Sequence, residues 1–86
     1  MYQVNLFFPI EKKTHVVNLQ YYTIYGACYI AKKYTKRYHI ESDVMDTNTG
    51  EILAVINDDG TYHYVAESVL NSSLASTDIF RPLFNK

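Results

Sequence analysis

The sequence contains few residues of the types that cross-link or interrupt a chain. It has no tryptophan, one cysteine, two prolines and three glycines among 86 residues. A single cysteine cannot form an internal disulfide, so we expect a reducing, cytoplasmic setting. No stretch approaches the ~20 consecutive apolar residues of a transmembrane helix. The first five residues also lack the basic region of a signal peptide.

The composition that is typical of disorder is absent as well. Hydrophobic residues make up 48% of the chain and charged residues 20%, so the chain has enough apolar surface to bury a core. At this length, residues 1–86 are predicted to form one small domain. Few elements remain to form a pocket once that core is filled, which argues against a classical enzyme.

Hydrophobic periodicity predicts a two-layer α+β fold. Residues 2–8 alternate in polarity, as half-buried strands do, and residues 15–19 are expected to return as a second strand. Residues 20–37 predict the main helix, with Asn18 as its N-cap. Further strands, a short helix and an apolar tail follow at residues 39–46, 51–57, 61–65, 66–74 and 79–84.

The predicted architecture is one main helix packed on an antiparallel sheet of about four to five strands, in the order β(β)αβββ with a short helix or tail. The run at 51–57 is the most apolar and is expected to be the central strand. Gly50 and Gly60 are available for positive φ in the two hairpin turns. One face of the sheet is left open unless the tail or another molecule covers it.

The predicted helix has two sides of different composition. A core-facing stripe with small residues at its centre consists of Ile24, Ala27, Cys28, Ala31, Tyr34 and Tyr38. Tyr21, Tyr25 and Tyr29 share the other side, and Lys32 and Lys36 continue that row. The tyrosines and lysines suit base stacking and phosphate pairing, or a protein interface in which tyrosine is the anchor. Burial of the row by the sheet or tail is the third alternative.

Charge is distributed unevenly along the chain, although the net charge is −1. Residues 1–40 carry six basic residues and one acid, whereas residues 41–86 carry two basic residues and eight acids. Six of the acids lie on the predicted strands and turns: Glu41, Asp43, Asp46, Glu51, Asp58 and Asp59. Such a carboxylate surface suits a basic groove on a partner, or it is a solvated sheet edge that prevents aggregation.

No motif in the sequence predicts a metal, a cofactor or a catalytic residue. Asp46-x-Asn48-x-Gly50 matches part of a calcium loop, but the acid required at its twelfth position is missing. The three histidines are scattered, so zinc spacing is absent. Cys28 with His39 or His63 would be needed as nucleophile and base, but Cys28 is predicted on the buried stripe of the helix.

Residues 20–65 place a helix, a strand and two turns in a particular order. A helix, Tyr25-Gly26-Ala27-Cys28-Tyr29-Ile30-Ala31-Lys32-Lys33, runs into a strand that ends Val44-Met45-Asp46-Thr47. The turns Thr49-Gly50-Glu51-Ile52 and Asp58-Asp59-Gly60 follow. This order resembles accessory proteins of bacteriophages, including some anti-CRISPR proteins. The resemblance implies a non-enzymatic protein that binds and blocks a host nuclease or another defence component in the host cytoplasm.

The first functional hypothesis is therefore a non-catalytic protein-binding module, an inhibitor that acts by occlusion through its acidic strands and its tyrosine-bearing helix. The alternative is a small nucleic-acid-binding protein that uses the tyrosines and lysines of the helix. A homodimer, joined by the open sheet face or by the tail at residues 79–84, is a third arrangement. No membrane partner is expected.

Overall fold

The computed structural model describes residues 1–70, without the side chains of residues 18 and 19. It contains five strands and two helices: β1 (Tyr2–Phe8), β2 (Lys13–Tyr21), α1 (Ile24–Tyr38), β3 (Glu41–Asp46), β4 (Ile52–Ile56), β5 (Tyr62–Val65) and α2 (Glu67–Leu70). The expected α+β class, with one helix packed on an antiparallel sheet, is confirmed. The predicted tail at 79–84 and the end of the predicted short helix lie outside the described residues.

The strands form a single antiparallel sheet in the order β2-β1-β3-β4-β5. β1 lies between β2 and β3, with Val4 opposite Val44. The central strand is thus β3, and the expectation that residues 51–57 form it is wrong. That run is apolar because the adjacent residues Leu53 and Ala54, which point to opposite faces of the sheet, are both buried.

The core lies between α1 and the helix-facing side of the sheet. Ala27, Cys28 and Ala31 are completely buried, as the predicted small-residue stripe requires. Their small side chains let the helix backbone lie close to Val4 and Val44, which are also completely buried. Thr35 completes the buried stripe, and its hydroxyl donates to the carbonyl of Lys32 at 2.8 Å, so its polar group is satisfied inside the core.

The beginning of α1 differs from the sequence prediction. The helix starts at Ile24, and its N-cap is Thr23 rather than Asn18, because the Thr23 hydroxyl accepts from the amide of Gly26 at 3.0 Å. The backbone at residue 18 belongs to β2 instead. A Cβ added at Gly26 would lie 3.1 Å from that capping oxygen, so glycine leaves room for the cap.

The end of α1 also corrects one core assignment. The helix ends at Tyr38, and His39 caps it: the His39 backbone is left-handed (φ 54°), and its amide donates to the carbonyl of Thr35 at 2.8 Å. Tyr38, expected in the core, is 47% exposed. Its ring stacks on Tyr34 at 6.0 Å and lies 6.5 Å from Phe8. Tyr38 therefore covers the rim of the core rather than its interior.

The two hairpin turns confirm the glycine assignments. Gly50 and Gly60 have φ values of 76° and 88°, in the region that glycine enters without steric cost. In the first turn a carboxylate oxygen of Asp46 accepts from the amide of Asn48 at 2.8 Å. These polar residues therefore serve the turn geometry.

Candidate functional site

The outer face of α1 presents two tyrosines to solvent. Tyr25 is 41% exposed and Tyr29 is 50% exposed. They lie one turn apart on the side of the helix opposite Ala27 and Ala31, because each residue advances the helix by about 100°. Tyr22, just before the cap, is exposed as well. Within residues 1–70, nothing buries the rings of Tyr25 and Tyr29, and we call these two residues the tyrosine face.

Tyr21 does not belong to this row. It is the last residue of β2, where it pairs with Tyr2, and it is half-buried. Burial raises the pKa of the Tyr21 phenol, and the neighbouring Tyr34 adds to the rise. The spacing of four residues to Tyr25 is therefore accidental, because the chain turns at residues 22 and 23 before the helix starts.

Basic residues accompany the tyrosine face along the second half of α1. The Lys33 ammonium lies 5.5 Å from the Tyr29 ring centre, within the range of a cation–π contact. Lys32 is half-buried, and its ammonium lies 5.3 Å from the ring of Tyr62 in β5. Burial lowers the pKa of Lys32, and the nearby charge of Lys36 adds to this. Of the two lysines predicted for the row, only Lys36 is exposed.

A second surface lies on the flank of α1 towards the end of β2. It is a groove of about 630 Å³. Among the described residues, its lining consists of Tyr21, Ile30, Lys33, Tyr34, Lys36 and Arg37. Sequence analysis missed this groove, because Tyr21 comes from a strand. The spacing of Ile30, Tyr34 and Arg37 by four and three residues is the helical signal that could have indicated it.

The predicted acidic residues do not form one continuous surface. Asp46 and Glu51 lie at the β3–β4 turn. The other end of β4 carries Asp58 and Asp59, in the β4–β5 turn, and lies next to Glu41 at the start of β3. The two ends of β4 are about 16 Å apart, which is the length of a five-residue strand. The Asp59 carboxylate accepts from the amide and hydroxyl of Thr61, and these bonds lower its pKa.

The sixth acid, Asp43, belongs to a hydrogen-bonded chain on the sheet face opposite α1. The Asn5 side chain donates to Asp43 at 2.7 Å, and Gln3 donates to Asn5 at 2.8 Å. Asn5 is only 9% exposed. Burial raises the pKa of Asp43, although the bond from Asn5 opposes the rise. The Asp43 side chain is thus held within the sheet by its hydrogen bond from Asn5.

The residues considered for catalysis are far from a reactive arrangement. Cys28 is completely buried, and burial raises the pKa of its thiol from 9.0 to about 12, against the effects of Tyr62 and Lys32. At neutral pH the thiol is therefore protonated and packs as a small apolar group. His39 and His63 are both exposed. His39 is the C-cap residue of α1, and His63 lies in β5.

Residues 1–70 contain neither a cluster of metal-ligating side chains nor a membrane-spanning helix. No group of three or more histidine, cysteine or acidic side chains in this range is arranged to hold a metal ion. None of its helices is long and apolar enough to cross a membrane.

Comparison of the chain with protein-family models, with curated proteins and with solved structures finds no match. In the part of the chain that the structure describes, two surfaces combine aromatic rings with positive charge: the tyrosine face and the groove beside it.

Proposed function

We propose that this chain is a non-catalytic binding module that docks on a partner protein through the outer face of α1. The observation that carries the proposal is the pair of half-exposed tyrosines, Tyr25 and Tyr29, on a helix whose opposite side is anchored in the core. Tyrosine is enriched among the residues that dominate binding energy at protein interfaces. Because the core fixes the helix, little backbone order has to be gained on binding.

The charges next to the tyrosine face indicate the chemistry of the partner. Lys33 is exposed beside the Tyr29 ring, so a partner surface with an acidic group next to an apolar recess is complementary. Nucleic acid is supported less well. A Cβ at Gly60 would lie 3.0 Å from Lys36, which places the turn that carries Asp58 and Asp59 beside that lysine. Carboxylates there weaken the attraction for phosphates, which dominates nucleic-acid affinity.

The proposed mode of action is occlusion. The resemblance to phage accessory proteins implies a blocked host nuclease or defence component as the partner. A helix of 15 residues is about 22 Å long, which is enough to cover a groove on a partner surface. We assign docking to α1 rather than to the acidic strands, because the acids are divided between the two ends of β4.

The test uses the double variant Tyr25→Ala/Tyr29→Ala and the control Tyr64→Ala. Tyr64 is 47% exposed in β5, so the control removes a ring of similar exposure away from α1. Each immobilised protein is used to capture species from a bacterial lysate, the captured protein is identified by mass, and its affinity is then measured with purified components. Circular dichroism checks that each variant is folded.

We expect the double variant to bind the captured protein at least about 30-fold more weakly, since an anchor tyrosine contributes roughly 2 kcal/mol or more. The Tyr64→Ala variant should bind within about twofold of the original chain. A folded double variant that binds as tightly as the control would contradict docking through this face.

A further inference from the structure

The groove beside α1 has the size of a small-molecule site. Its volume of about 630 Å³ falls within the range of roughly 300–1,000 Å³ that is typical of ligand pockets. It is bounded by Tyr21 at the end of β2 and by the flank of α1 that carries Ile30 and Tyr34. Because α1 packs on the sheet and β2 is the outermost of the described strands on that side, the groove follows the line where the helix meets β2.

The lining combines flat rings with positive charge. Tyr21 and Tyr34 supply the rings, and Lys33 and Arg37 supply two cations. Lys36 also lines the groove, but its stem lies against Gly60 in the turn that carries Asp58 and Asp59. Neither aspartate nor glutamate occurs among the described residues of the lining. The groove therefore favours a ligand that is negatively charged and has a flat, partly apolar part.

The aromatic part of the groove is held in place before any ligand binds. The ring of Tyr34 stacks on Tyr38 at 6.0 Å with an angle of 14° between the planes. Tyr38 in turn lies under the Arg37 guanidinium at 5.5 Å. A ring fixed in this way loses little rotational freedom when a second flat group stacks against it.

We propose that this groove binds a nucleoside phosphate, with the heterocycle against Tyr21 and Tyr34 and the phosphate paired with Arg37 and Lys33. Guanidinium groups bind phosphate oxygens in a bidentate manner, and aromatic side chains stack on bases of any sequence. This ligand class matches both halves of the lining, whereas inorganic phosphate would leave the rings uncovered and a neutral aromatic compound would leave the cations unpaired. The proposed nucleotide site shares Lys33 with the docking surface, but it does not use the anchor rings of Tyr25 and Tyr29.

The experiment is a titration followed by backbone amide chemical shifts, with adenosine 5′-monophosphate as the probe. Adenosine and inorganic phosphate are titrated separately, so that the contributions of ring and charge are measured apart. A single strand of six deoxyadenylates is titrated last. It is included because a base and a phosphate group occur both in a free nucleotide and in a nucleic-acid strand. Tighter binding of the strand assigns the strand as the source, and equal binding assigns the free nucleotide.

The variants are Tyr34→Leu and Arg37→Gln, each with a matched control. Tyr64→Leu removes an exposed ring from β5, and Lys13→Gln removes an exposed cation from the opposite end of β2, about 27 Å from Tyr21 by the strand rise. We expect the largest shifts at Tyr21, Ile30 and Tyr34, with binding at least about tenfold weaker in each groove variant.

The controls should bind the nucleotide as the original chain does. Adenosine and phosphate should each bind at least tenfold more weakly than the monophosphate. The proposal is overturned by the absence of shifts at millimolar nucleotide, by shifts centred elsewhere, or by groove variants that bind as the controls do.

Discussion

At the scale of single residues, Cys28 shows how the core controls reactivity. Its thiol is completely buried beside Tyr62, and burial raises its pKa to about 12 from 9.0. Since the thiolate is the nucleophile, this rise lowers the reactive fraction about a thousandfold near pH 8. Access requires that the helix leave the sheet.

We therefore expect Cys28 to react with a thiol reagent at pH 8 only as fast as the chain unfolds. In urea above the unfolding midpoint, the same thiol should react as a free cysteine does. Absorbance with an aromatic disulfide reagent measures both rates. Rapid modification of the folded chain, at a rate unaffected by stabilising conditions, would show that the thiol is accessible without unfolding.

The pairing of Asn5 with Asp43 is also a residue-scale feature, and it could not have been predicted from local sequence. The two residues are 38 positions apart and meet only through the register of β1 on β3. Sequence analysis placed Asp43 in an acidic surface because neighbouring acids occur along the chain. Its burial follows from the strand order, which the local pattern does not contain.

At the scale of elements, the start of α1 depends on Thr23. Its hydroxyl accepts from the Gly26 amide at 3.0 Å, and its carbonyl accepts from the Ala27 amide at 3.1 Å. We expect Thr23→Ala to lower the free energy of unfolding by about 1 kcal/mol, because the first helical amides then lose their side-chain partner. Urea denaturation followed by circular dichroism measures the change.

Thr23→Ser is the matched control, since it keeps the capping oxygen and removes only a methyl group. The serine variant should unfold within about 0.5 kcal/mol of the original chain. Equal losses in both variants would assign the effect to packing of the methyl group instead of the cap.

The elements themselves were largely predictable, and their boundaries less so. Polarity alternates every two residues over residues 2–8, and this pattern predicts the strand. The small residues Ala27, Cys28 and Ala31 recur with the helical period, and this spacing predicts the inward face of the helix. The helix start was placed too early because Tyr21 continued the spacing of the helical tyrosines. Tyrosine is accepted by both strands and helices, so the cap at Thr23, rather than the period, decides where the helix begins.

At the scale of the whole molecule, the strand order predicts a gradient of local stability. β1 and β3 have hydrogen-bonded neighbours on both sides, whereas β2 and the four-residue β5 are the outermost strands within residues 1–70. We expect the slowest amide exchange in β1, β3 and the buried side of α1, and the fastest strand exchange in β5, because edge strands open without global unfolding. Hydrogen exchange followed by nuclear magnetic resonance measures these rates.

Exchange in β5 as slow as in β1 would contradict this gradient. It would mean that β5 opens only together with the rest of the sheet. The amides of β2 provide an internal comparison, because those paired with β1 should exchange more slowly than those on its outer edge.

The insertion of β1 between β2 and β3 also determines how the chain acquires its structure. The β1–β2 hairpin needs only residues 2–21, but the other edge of β1 stays unpaired until β3 arrives after the whole of α1. Closing that long segment carries an entropy cost and slows folding. During this interval a strand that is internal in the native sheet is an open edge, so we expect partly folded copies to aggregate through β1 at high concentration.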